Sequence, residues 1–237
     1  MTFKKDTCPH AENDWERIKD INNTIEELKK LRQDNVKREG SLLRSKIAWK
    51  IATLRQAYIW RLGELAESCA FNWNNHFYIS ALTLARSALE TAVIICELDE
   101  DVQTGLDTQD LAFIDKCVMA KSFSTRIEGL EGSEKEFKAK NILTFIQKQN
   151  RTFEGLEFLY ANLSEHVHPN QFGHRQHYGS LNHSNGQTSF SNGKYLEGKL
   201  HAIMFVFAFI DLAIIAINRL NQNIIHVADL QSPEDIS

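Results

Sequence analysis

LHAIMFVFAFIDLAIIAI, residues 200–217, is apolar on every side, with only His201 and Asp211 breaking the run. A helix of this kind has no solvent face, so it must be wrapped by other helices, by a second copy of the chain or by lipid. Its length is close to the roughly 20 residues that cross a bilayer. Asp211 near the middle argues against that use, because a charge at that depth is costly in hydrocarbon. The stretch therefore reads as the core helix of a soluble bundle, with no membrane contact expected and a homodimer through this helix as the expected assembly.

Working outward, 237 residues contain only 3 Pro and 11 Gly, with 43% apolar and 24% charged residues. Helix breakers are scarce against average usage of about 5% Pro and 7% Gly. Pro169 is the only internal proline, so everything from His10 to His168 is free to be helix. Ile18, Ile21, Ile25, Leu28 and Leu31 recur at threes and fours and predict a first helix from Trp15 to about Lys37. Gly40 then reads as a stop and Ser41 as an N-cap. Leu43, Ile47, Ile51, Leu54, Tyr58, Leu62, Leu65 and Cys69 predict a second helix from Leu42 to about Asn72, antiparallel to the first. Further helices are predicted over Asn75–Leu98, from a Thr108 cap to about Ile127, from a Ser133–Glu136 capping box to about Asn150, and from Thr152 to the Pro169 boundary. Beyond that boundary Asn185-Gly186 predicts a β-hairpin with arms in HYGSL and QTSFS. The last helix starts near Lys194. The fold class is all-α: a helical bundle with a long N-terminal hairpin, residues 1–73, and a core over 74–237 that carries the hairpin-like insert at about 169–193.

The net charge of −4 argues against a dedicated duplex-DNA binder. Met1 to Glu16 has no apolar segment resembling a secretory signal, which favours the cytoplasm. The four cysteines are scattered without C-x-x-C spacing and read as reduced thiols.

Several polar groups fall in apolar surroundings. Arg86, Glu90 and Glu97 share a face of the third helix, with Arg86 and Glu90 at i, i+4 spacing. They form either a structural ion pair or the anchor of a site for an anionic ligand such as a phosphodiester. Tyr160, Ser164 and His168 share a face of another helix, where His168 either exchanges protons with Ser164 near it or closes the helix end. His166, His168, His174, His177 and His183 crowd residues 166–183, and His166, His168, His174 and His177 are candidate metal ligands, although no ligand template is met. Arg219 and His226 form an Arg-x6-His pair near the end of the last helix. There is no Gly-rich phosphate loop, G-x-S-x-G elbow or H-E-x-x-H, and no cofactor is expected.

ARSALETAV (85–93) together with YANLSEHVHPN (160–170) resembles an uncharacterised bacterial family of helical proteins with R-x-x-x-E and Y-x-x-L-S-x-x-x-H-P motifs, itself similar to the HEPN superfamily of helical-bundle ribonucleases and abortive-infection proteins. The resemblance spans roughly residues 75–225. It implies a bundle, often dimeric, and a role in RNA handling or phage defence, with Arg86, Glu90, Tyr160, Ser164 and His168 as shared polar positions. The ribonuclease motif of that superfamily is Arg followed by His after four to six residues, which Arg219 and His226 match, while Leu220 departs from the polar residue usual after the Arg. The activity this implies is metal-independent RNA cleavage. The alternatives are a non-catalytic binding module with a structural polar core, and a His-rich metal-binding protein.

Overall fold

The computed structural model describes residues 1–9, 11–125 and 139–231. Eight α-helices occur among them: α1 (Ala11–Leu31), α2 (Ser41–Arg44), α3 (Lys46–Asn74), α4 (Tyr78–Asp107), α5 (Leu111–Phe123), α6 (Ile142–Gln149), α7 (Leu156–Val167) and α8 (Leu196–Leu230). Two antiparallel strands, β1 (Gly179–Asn182) and β2 (Gln187–Phe190), precede α8. This is the all-α bundle with a hairpin insert that the sequence predicts.

The isoleucine stripe of α1 is the reason it docks: Ile18, Ile25 and Leu28 are fully buried. Each such side chain contributes about 1.5–3 kcal/mol. The start of α1 lies beside the end of α3, as the Trp73 indole N–H donating to the Thr7 carbonyl (3.1 Å) shows, so the hairpin is antiparallel. At the other end α1 stops at Leu31, six residues before the predicted Lys37. There the Gln56 amide donates to the Leu31 carbonyl (3.3 Å) and the Trp60 indole N–H to the Gln33 carbonyl (2.9 Å), so side chains of α3 satisfy groups that a longer helix would have bonded itself. The N-cap of α3 is Ser45, not Ser41: its Oγ accepts from the Ala48 N–H at 3.0 Å. Leu43 consequently sits in the separate short α2 and is exposed.

Helix α4 runs through the polar stretch DEDVQTGLD that was predicted to end it. Val102 and Gly105 within that stretch are buried, so the inward face continues. Gly105 is needed there, because a Cβ would meet Ile114 of α5 at 2.2 Å. Thr108 closes α4 instead of capping α5. Gln109 reverses the chain at φ 55°, and Asp110 caps α5 by accepting from the Phe113 N–H at 2.8 Å. The predicted capping pair Ser133 and Glu136, and Ile127, lie outside the described residues. Asn141 caps α6, its side chain accepting from the Leu143 N–H. Thr152 sits in a turn, and α7 begins after Gly155, which adopts φ 93°.

After Pro169 the Asn170 side chain accepts from the N–H groups of Phe172 and Gly173, both at 3.0 Å, and starts a π-helical turn over Gln171–Gln176. The strands pair from Gly179–Phe190 to Asn182–Gln187, leaving His183–Gly186 as a four-residue loop with Gly186 at φ 67°.

One core joins the hairpin to the remainder: Ile25, Leu62, Leu89, Leu163 and Ile210 from five different helices are buried together. A second cluster, with Ile51, Val102, Ile114 and Leu220, fills the other end. Helices α4 and α8 are each long and apolar enough to cross a bilayer, and 56% and 67% of their apolar windows are buried inside the bundle.

Candidate functional site

Arg86 and Glu90 sit one turn apart on α4, facing Tyr160 of α7. The Arg86 guanidinium donates to the Tyr160 hydroxyl at 2.6 Å, and that hydroxyl donates to Glu90 Oε1 at 3.0 Å. Arg86 Nε lies 3.4 Å from the same carboxylate, and the guanidinium carbon is 4.8 Å from the centre of the phenol ring. Burial, with the Glu90 charge adding to it, holds the Tyr160 phenol above its ordinary range despite the Arg86 bond. Cation, phenol and carboxylate thus pair across the α4–α7 contact, the arrangement of the structural ion-pair reading, with Arg86 Nε buried and without a well-formed hydrogen bond among the described residues.

Ser164 and His168 do not join this group. The Ser164 hydroxyl donates back to the Tyr160 carbonyl at 2.7 Å, the usual way a mid-helix serine satisfies itself. His168 lies just past the end of α7 in extended backbone and is exposed; its N–H, not its ring, bonds the Ser164 carbonyl. Arg219 and His226 are both exposed on α8, about 10 Å apart along its axis. The Arg219 guanidinium pairs with Asp99, which is buried. Burial outweighs that partner and holds the Asp99 carboxyl above the usual range.

The histidines of the insert divide. His168, His174 and His183 are exposed, whereas His177 is 1% exposed. His177 lies near His166 and near Lys199 of α8, which is itself 2% exposed. The Lys199 ammonium donates to the Lys194 carbonyl, and neither ring nitrogen of His177 makes a well-formed hydrogen bond among the described residues. Burial, aided by the Lys199 and His166 charges, pushes His177 down to about 4, and burial pushes Lys199 down to about 8. Among the described residues no three His, Cys, Asp or Glu side chains gather as a metal-binding group.

A cleft of about 940 Å³ opens between α3, α4, α5 and α6. That volume is in the range of small-molecule sites. Arg61, Lys116, Lys121, Lys140, Lys148 and Arg151 line it against three carboxylates, Glu90, Glu97 and Asp101. Tyr58, Phe113 and Phe145 supply aromatic faces. Lys121 pairs with Asp101, and Lys148 with Glu97 (2.7 Å) and with Glu100 (2.9 Å). Burial works against the Lys148 charge, but the Glu100 and Glu97 bonds outweigh it and hold the ammonium above its ordinary range. Buried Glu97 also accepts from Gln149 at 2.8 Å, which ties α6 to α4. Arg61 donates to the Thr91 hydroxyl at 3.2 Å. Lys116, Lys140 and Arg151 have no carboxylate partner among the described residues, and Lys140 lies 5.9 Å from the centre of the Phe145 ring. Glu90 belongs both to this lining and to the Arg86–Tyr160 group, so the two features share a wall.

Of the residues singled out in the sequence, Arg86, Glu90 and Tyr160 converge, while Ser164, His168, Arg219 and His226 lie elsewhere. The cleft cations share no common spacing in the sequence, because they come from three helices, a turn and the segment ahead of α6. The only sequence signal was a density of lysine and aromatic residues around 113–148. No protein family, no curated protein and no solved structure matches the chain.

Proposed function

We propose that this is an RNA-directed, HEPN-like helical-bundle protein that binds a single-stranded, phosphate-bearing chain in the α3–α6 cleft. The observation that carries this reading is the cleft lining, six cations to three carboxylates in a chain of net charge −4. Cations for phosphate and aromatic rings for bases are the two elements of single-strand recognition. The family resemblance supports RNA as the strand. Duplex DNA is not the fitting partner, because the cationic surface is a cleft and not an exposed face.

Binding without cleavage is the form of this reading that the side chains favour. Arg86 is committed to Tyr160 and Glu90, and Arg219 to Asp99, so neither guanidinium is held free beside a histidine to steady a developing phosphate charge.

The test is fluorescence anisotropy with a labelled single-stranded RNA twelve-mer, a mononucleotide and a duplex DNA. Replacing Lys116, Lys140 and Arg151 together by Glu is expected to weaken RNA binding about a hundredfold, with a shallower salt dependence than wild type. Equal binding by the triple variant overturns the cleft assignment. Incubation of RNA with wild type, His168→Ala and His226→Ala in excess EDTA is expected to leave it intact in all three; cleavage lost in either variant overturns the non-catalytic form.

A further inference from the structure

The insert closes over the start of α8 through basic groups that bring no counter-charge with them. Lys199, one turn into α8, is 2% exposed, and His177, just past the π-helical turn, is 1% exposed. The Lys199 ammonium donates to the Lys194 carbonyl, and the Lys194 ammonium to the Gly179 carbonyl at the start of β1. An ammonium has three N–H groups, so the Lys194 carbonyl accounts for one of those on Lys199. Neither ring nitrogen of His177, nor Nδ1 of the neighbouring His166, makes a well-formed hydrogen bond among the described residues. Asn192, the polar side chain beside the His177 ring, has its amide N–H bonded to the His76 carbonyl at 2.6 Å. Glu165 of α7 and Glu197 of α8 are both exposed, and no ion pair to a carboxylate is formed by Lys199 or His177 among the described residues. No side chain caps α8 at Tyr195, so the positive end of this 35-residue helix adds to the same potential.

We propose that Lys199 and His177 hold one monatomic anion, a halide such as chloride, between α8 and the insert. A buried ammonium and a buried imidazole N–H are both donors, and each is costly to leave without an acceptor. A halide supplies that acceptor and a negative charge together, whereas water supplies only the acceptor. Burial decides the size of the ion. Phosphate or sulfate would bring several oxygens that each need a donor, into a place where the donors are two side chains almost wholly out of water. The anion acts as a clasp, so the hold of the insert on α8 strengthens with halide concentration. This site is separate from the α3–α6 cleft and does not rest on the RNA reading.

Thermal melts at pH 7 and constant ionic strength, with sodium gluconate replaced stepwise by sodium chloride, give the test. Wild type is expected to melt about 4 °C higher when chloride reaches ten times its dissociation constant. Lys199→Met and His177→Phe are each expected to melt at one temperature across the series. The advantage of Lys199→Met over wild type is therefore expected to be largest in gluconate and to shrink in chloride. Sodium phosphate at the same ionic strength is expected to shift wild type no more than it shifts Lys199→Met. Bromide is expected to act as chloride does, and in crystals to give an anomalous scattering peak between Lys199 Nζ and the His177 ring. A wild-type melt indifferent to chloride, an equal chloride gain in Lys199→Met, a gain from phosphate and none from chloride, or bromide peaks confined to the surface would each overturn the proposal.

Discussion

Two groups of basic side chains in this molecule contrast in what surrounds them. In the cleft, Lys121 and Lys148 face carboxylates, and Lys116, Lys140 and Arg151 face water. Under the insert, Lys199 and His177 are buried beside the half-buried His166, and no ion pair to a carboxylate is formed by Lys199 or His177 among the described residues. A charge is held at little cost where water or a carboxylate solvates it, and lowers stability or is given up where neither is present. The cleft therefore keeps cations available to an anion at neutral pH, while the insert is held onto α8 by groups that fold best uncharged.

The strongest way to break this comparison is to acidify the protein. His177 has an ordinary value of 6.5 and a folded value of about 4. Above 6.5 both states are neutral and the residue carries no pH dependence. As pH falls from 6.5 to 4 the unfolded chain takes up a proton that the folded chain refuses, so stability falls, by about 3 kcal/mol if the whole shift is realised. Urea midpoints measured across that range are expected to drop in wild type and to drop less in His177→Phe. Identical slopes would show that the ring is solvated after all.

A smaller effect is expected at Lys199. Its folded value of about 8 lies below the ordinary 10.5, so below pH 8 both states are charged and the folded chain bears the full cost of burial. That cost fades as pH rises from 8 to 10.5. Lys199→Met is expected to stabilise the protein by about 1–2 kcal/mol at pH 7, with the gain shrinking above pH 8. Destabilisation at pH 7 would mean that the bond to the Lys194 carbonyl outweighs the buried charge.

The smallest effect sharpens the contrast from the other side. Lys116→Met in the cleft is expected to change stability by less than about 0.5 kcal/mol at any pH from 6 to 9, because its ammonium is already in water. Thermal melts of Lys116→Met and Lys199→Met in parallel give the comparison directly.

How much was legible follows the same division between local and non-local causes. The stripes of α1, α3 and α8 repeat at helical spacing, so the bundle could be read from single segments. The pairing of Arg86 with Glu90 was legible because i, i+4 is local, whereas only the family resemblance, and no spacing, links Tyr160 to it. The end of α1 was misjudged because Gln56 and Trp60, from α3, terminate it. The length of α4 was misjudged because DEDVQTGLD looks like a loop until Val102 and Gly105 are seen against α5. The cleft was invisible for the strongest form of this reason, since its cations meet only after four helices pack.

The Trp73 indole bonded to Thr7 and the Trp60 indole bonded to Gln33 have one more consequence. All four tryptophans, Trp15, Trp49, Trp60 and Trp73, belong to α1 and α3. Intrinsic emission therefore watches the N-terminal hairpin and is blind to the insert and to most of α8. If emission and circular dichroism melt together, the hairpin and the remainder come apart as one cooperative unit; a gap between the two curves would date the hairpin's departure separately. A tryptophan substituted for Phe190 would light the dark half of the molecule.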